Sequence, residues 1–132
     1  MDNLHIVTRP SKLQLARYKR IPQGGNLGDV PKRLRPLRFR DEAYFKVFTP
    51  NGASRRLKPE GFCPTLQASS GDTNRFIHPV HDREITLRER ARLQTFPDTH
   101  EFAGSYESVK RQIGNAVPVE LAAVLATALK KW

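Results

Sequence analysis

Residues 111–123 read RQIGNAVPVELAA. Gly114 and Asn115 stand just ahead of a proline-led apolar run. Pro118 suits the first helical position, where a missing N–H has no partner to lose. Beyond it, Leu121, Val124, Leu125, Ala128 and Leu129 fall on one helical stripe, and Lys130 and Lys131 suit the helix's negative end. That stripe needs a surface to cover it. Upstream, Tyr106, Val109 and Ile113 recur at i, i+3 and i+7, which predicts a second short helix stopped at Gly114.

Further toward the N-terminus, residues 85–98 read ITLRERARLQTFPD. Thr86 stands three residues before Glu89, the spacing at which each side chain satisfies the other's orphan backbone N–H. A helix should start at Leu87. Phe96-Pro97 should end it, because a residue before proline is pushed out of the α region.

The first half has another texture. Residues 1–60 hold 14 Lys+Arg against 5 Asp+Glu, whereas residues 61–132 hold 9 against 8. A polyanion is the natural partner of so basic a half, and each phosphate neutralised on nucleic acid releases condensed counterions. Anionic lipid, or plain solvation, would satisfy charge alone. Residues 19–41, KRIPQGGNLGDVPKRLRPLRFRD, carry too much Gly and Pro for a long helix. YFKVFT (44–49) and FCPTLQA (62–68) read as short strands, with turns at PNGASRR and at SSGDTN (69–74).

At 132 residues the chain fits one domain of modest core. A single cysteine excludes an internal disulfide framework, and no stretch reads as a signal peptide or membrane span. The expected setting is a reducing cytoplasm, with no membrane partner.

Two of these stretches carry a resemblance. Arg83, Ile85, Thr86, Arg88, Glu89, Ala91, Arg92, Leu93, Gln94, Phe96, Pro97 and Asp98 resemble the ninth sequence motif of the DNA (cytosine-5) methyltransferases. Gln112 to Pro118 (QIGNAVP) resembles the tenth, in the family's order and at about its spacing. Residues 62–79 are similar to the end of the family's target recognition region, with Thr65-Leu66 ahead of a DNA-facing turn, and residues 18–59 more loosely to its variable part. The fold class so implied is an α+β fragment. A small β-rich target recognition region (1–82) would precede a helical segment (83–132), whose last helix completes an α/β S-adenosylmethionine-dependent methyltransferase domain.

The resemblance also implies sites. Gly114, Asn115 and Ala116 would sit near the methionine end of S-adenosylmethionine, and a helix N-terminus, with its unsatisfied N–H groups, suits a carboxylate. Read without the motifs, Gly-Asn is an ordinary helix stop. Thr65, Leu66, Ser69, Ser70 and Arg75, with Arg35, Arg38 and Arg40, are candidates for contact with double-stranded DNA, and phosphate is the commoner target of such groups. Arg33 belongs to the same basic run. Arg83, Thr86 and Glu89 would give structural support. His78 and His81 have a spacing found in some metal sites, but Pro79 argues against zinc.

The family's remaining machinery is not in this sequence. There is no Gly-rich cofactor turn, no Pro-Cys nucleophile, no Glu-Asn-Val segment and no Arg-rich eighth motif. Cys63 neighbours a proline, but in the order Cys63-Pro64 and within the recognition region, where it reads as a packed small residue. The chain alone is expected to be inactive. It would serve with a catalytic methyltransferase subunit, as in a split enzyme of a restriction–modification system. The alternatives are a stand-alone basic DNA-binding module and a truncated remnant.

Overall fold

The computed structural model describes residues 3–5, 7, 9–48, 53–68 and 75–131. Besides short 3-10 turns, the described residues form seven elements: α1 (Lys12–Tyr18), α2 (Glu42–Phe48), β1 (Arg55–Arg56), β2 (Phe76–Ile77), α3 (Leu87–Leu93), α4 (Tyr106–Asn115) and α5 (Val119–Leu129). They fall in two compact units. One is Val7–Cys63 with Gly71–Ile85; the other is Met1–Ile6, Pro64–Ser70 and Thr86–Trp132.

The first unit is less β-rich than its composition suggests. β1 and β2 form a parallel pair of two residues each, with Arg55 opposite Phe76 and Arg56 opposite Ile77. YFKVFT does not form a strand: residues 42–48 are helix α2, started by Asp41, whose Oδ1 accepts the Tyr44 N–H at 2.7 Å. The Asp41 cap outweighs the β preference of the aromatic residues. Phe45 thereby reaches the core of Tyr18, Ile21, Leu27, Val30, Phe39, Ala53 and Ile77. FCPTLQA also has no ladder partner; Pro64 lacks a donor, and the described segment 62–68 is irregular.

Where a sheet would hold this unit, one arginine does. Arg56 is 5 % exposed. Its Nε donates to Ile21 O, Nη1 to His78 O and His81 O, and Nη2 to Tyr18 O and Asp82 Oδ1, all at 2.7–3.1 Å. A guanidinium has five N–H donors, and these five acceptors match them. Three chain segments are tied at one point.

The second unit is helical. Thr86 Oγ1 accepts the Glu89 N–H at 3.0 Å while Glu89 Oε2 accepts the Thr86 N–H at 2.8 Å, closing the capping box ahead of α3. α3 stops at Leu93, three residues before Phe96-Pro97, because Thr95 adopts a left-handed φ of 58°. Leu4, Leu87, Ala91, Val109 and Ile113 form the core, with Phe96 and Phe102 packed on it. α4 runs through Gly114 to Asn115 and does not stop at the glycine. Pro118 stands one residue outside α5, as its N-cap.

α5 itself buries none of its residues. Residues 106–129 are apolar enough in composition for a membrane span. Extended backbone at Ala116 and Pro118 divides them into helices of 10 and 11 residues, against the roughly 20 that a bilayer core needs.

Candidate functional site

The turn between α4 and α5 is built from α3. Gln94, at the end of α3, is 8 % exposed. Its Nε2 donates to Ile113 O at 3.0 Å and to Ala116 O at 3.1 Å, holding both sides of the Gly114–Asn115 corner. Its backbone carbonyl accepts the Val119 N–H at 3.2 Å, and Thr95 Oγ1 accepts the Glu120 N–H at 3.0 Å.

Gly114, Asn115 and Ala116 therefore have different positions. A Cβ on Gly114 would lie 2.5 Å from Ala68 N and 2.6 Å from Ala68 Cα, so glycine is required by backbone packing against residues 67–68. The Ala116 N–H donates to Ile113 O, and its carbonyl is taken by Gln94. Asn115 is exposed at the last turn of α4. At the start of α5, the Val119 N–H is taken by the Gln94 carbonyl and the Glu120 N–H by the Thr95 hydroxyl. The polar side chain that remains at this turn for a ligand is the Asn115 amide.

The arginines of the basic run hold their own loop. Arg35 donates from Nε to Val30 O and from Nη2 to Gly28 O, and its Cζ lies 4.7 Å from the centre of the Phe45 ring. Arg40 donates from Nε to Arg35 O and from Nη2 to Arg33 O. Arg38 is exposed, its Cζ stacked 4.7 Å over Phe39. Arg33 is exposed as well. Arg75 pairs with Glu84, whose Oε1 also accepts the Tyr18 hydroxyl at 3.0 Å. Burial, then the Glu84 carboxylate, pushes the Tyr18 phenol up to about 12.

Thr65 is exposed and Leu66 is buried, 6 % exposed, so of the pair only the threonine offers its side chain to solvent. Ser69 and Ser70 lie outside the described residues. Arg83 donates to Glu84 O. Arg88 is buried and donates to His100 O, whereas Arg92 makes a two-pronged pair with Asp98 that holds this carboxyl below its ordinary range. His78 Nδ1 accepts the N–H groups of Val80 and His81, both at 3.0 Å. Among the described residues no three His, Cys, Asp or Glu side chains gather as metal ligands. Cys63 is half-buried and is not in a disulfide.

Gln94, Thr95 and Arg56 carry structural roles that spacing did not assign. Gln94 sits inside a recognisable motif, but nothing in a Gln-Thr dipeptide announces a contact about twenty residues away. Arg56 differs from its neighbour Arg55 only in which face of a two-residue strand it occupies.

Residues 9–131 match the model of the family described as C-5 cytosine-specific DNA methylase. The Type II methylase M.HgiDII of Herpetosiphon aurantiacus is 35 % identical over 99 % of this chain and 38 % of its own length. The Type II methyltransferase M.BbvI of Brevibacillus brevis is 36 % identical over 96 % of the chain and 33 % of its own. A crystal structure from E. coli, described as a DNA modification methyltransferase encoded within a prophage, superposes with a TM-score of 0.57 at 38 % identity, covering 84 % of this chain and 24 % of that one. The chain thus spans a third or so of these bacterial relatives. Over that span, this chain belongs to the C-5 cytosine-specific DNA methylase family.

Proposed function

We propose that the chain is the target-recognition and C-terminal portion of a DNA (cytosine-5) methyltransferase. It contributes DNA grip and one wall of an S-adenosylmethionine site, while the catalytic cysteine comes from a partner carrying the family's other motifs. In this reading residues 1–82 recognise the target and residues 83–132 return to the catalytic domain, in a cytoplasmic setting. One observation carries it: α5 leaves Leu121, Val124, Leu125 and Leu129 between 49 and 73 % exposed in a chain matching only a third of its bacterial relatives. So contiguous an apolar face on a small protein marks a surface to be covered.

S-Adenosylmethionine, when bound, supplies the methyl group. Among this chain's residues Asn115 would offer its side-chain amide to that ligand, while Gly114 and Ala116 shape the turn around it. On the recognition side, Thr65 and the exposed Arg33 and Arg38 would meet phosphates, which fix register without reading bases. Arg35, Arg40 and Arg75 support these indirectly, through the loop carbonyls and the Glu84 carboxylate they hold.

The test is transfer of labelled methyl from S-adenosylmethionine to DNA, by the chain alone and mixed with a subunit bearing the Pro-Cys and Gly-rich motifs. Activity only in the mixture is expected. Salt-sensitive DNA binding with no transfer in either case would instead indicate a binding module.

A further inference from the structure

The end of α3 contains a choice of residue that local structure alone does not account for. The Phe96 N–H donates to Ala91 O at 3.0 Å and the Thr95 N–H to Arg92 O at 2.9 Å. That is the six-to-one and five-to-two bonding of a Schellman stop, whose left-handed residue is ordinarily glycine. Here it is Thr95 at φ 58°, and a β-branched residue in that region is strained. Glycine would close α3 at lower cost, so the threonine side chain must contribute something the stop does not need.

What it contributes lies across the unit. Pro118, the N-cap of α5, makes no side-chain cap. The Thr95 hydroxyl accepts the Glu120 N–H in its stead, beside the Gln94 carbonyl on the Val119 N–H. The Gln94 amide meanwhile spans the Ile113 and Ala116 carbonyls. Four hydrogen bonds from two adjacent residues thus fix the end of α4, the turn, and the first amides of α5. α5 buries none of its own side chains, so this corner is its principal attachment among the described residues.

We infer that Gln94 and Thr95 are positioning residues: Thr95 is held in strain as an N-cap supplied from α3, and the pair sets how Asn115 and the apolar face of α5 are presented. The functional half of this inference rests on the reading of α5 given above. The structural half stands on this chain alone.

Amide hydrogen exchange on the full chain tests it. Thr95→Gly relieves the backbone and removes the hydroxyl, so exchange at Glu120 should quicken about tenfold while α3 keeps or gains protection. Thr95→Ser, which retains the hydroxyl, should restore Glu120. Gln94→Glu turns the bridging donor into an acceptor facing two carbonyls, and should loosen Val119 and Glu120 even if the glycine variant folds poorly. Unchanged exchange at Glu120 in Thr95→Gly, or a uniform loss across α3, α4 and α5 that serine does not rescue, overturns the inference. In the methyl-transfer mixture, Thr95→Gly should raise the KM for S-adenosylmethionine severalfold with serine again restoring it. Loosened Glu120 with unaltered transfer would leave the corner standing and sink the functional reading of α5.

Discussion

α4 and α5 are consecutive helices of 10 and 11 residues, and both carry apolar stripes. α4 buries Val109 and Ile113, at 3 and 1 % exposure, into the core with Leu4, Leu87 and Ala91. α5 buries nothing. The same contrast divides the cations of the other unit, where Arg56 spends all five donors inside and Arg33 is exposed. Amphipathic pattern and positive charge state that a group needs a partner. They do not state whether the partner lies in the same chain, and only the contacts separate groups spent on the fold from groups offered outside it.

The inward side of the comparison should break most visibly at Arg56. Replacing it with Met leaves four backbone carbonyls and the half-buried Asp82 carboxylate without their shared donor, and should cost about 4 kcal/mol in urea unfolding. The same change at the exposed Arg33 should cost under about 0.5 kcal/mol. Equal losses at the two would show that burial does not separate them. On the helical side, Ile113→Ala should cost about 3 kcal/mol, since the side chain is fully enclosed and the site keeps a cavity.

Much of this was legible beforehand, and the exceptions have physical causes. The start of α3 could be read because a capping box is a local reciprocal contact, complete within four residues. α2 is not legible in YFKVFT because its five aromatic and β-branched residues favour a strand until the Asp41 cap in front of them is weighed. The glycine of QIGNAVP is legible as a constraint, but its cause, the backbone of residues 67–68, is more than forty residues away in sequence. Two of the amides that open α5 are taken by Gln94 and Thr95, whose reach depends on a left-handed turn that a threonine does not advertise.

Alkaline pH gives a smaller and differently shaped test of the inward side. Tyr18 is buried beside Glu84, and its phenol is pushed up to about 12 from 10.0. The folded state therefore holds this proton more tightly than the unfolded chain. Its contribution is fully present below pH 10 and is lost as the pH rises toward 12, at most roughly 2 to 3 kcal/mol. Urea midpoints at pH 9 and 11 should fall further for the wild type than for Tyr18→Phe, in which Arg75 still pairs Glu84. Parallel falls would mean that the phenol titrates alike in both states.

The smallest expected effect lies on α5. Leu125 is 52 % exposed, and Leu125→Ser removes little that the folded chain uses, so stability should move by less than about 0.5 kcal/mol. A loss near that of Ile113→Ala would show that α5 is already covered, by this chain or by a second copy of it, and would erase the contrast between the helices. If stability holds, the same variant becomes the sharper probe. A polar group in the middle of a face meant for a catalytic subunit should weaken methyl transfer in the mixture at limiting chain concentration, and excess chain should recover it, because the deficit is one of association. A deficit that excess chain cannot recover would place α5 closer to the bound cofactor than to the docking surface.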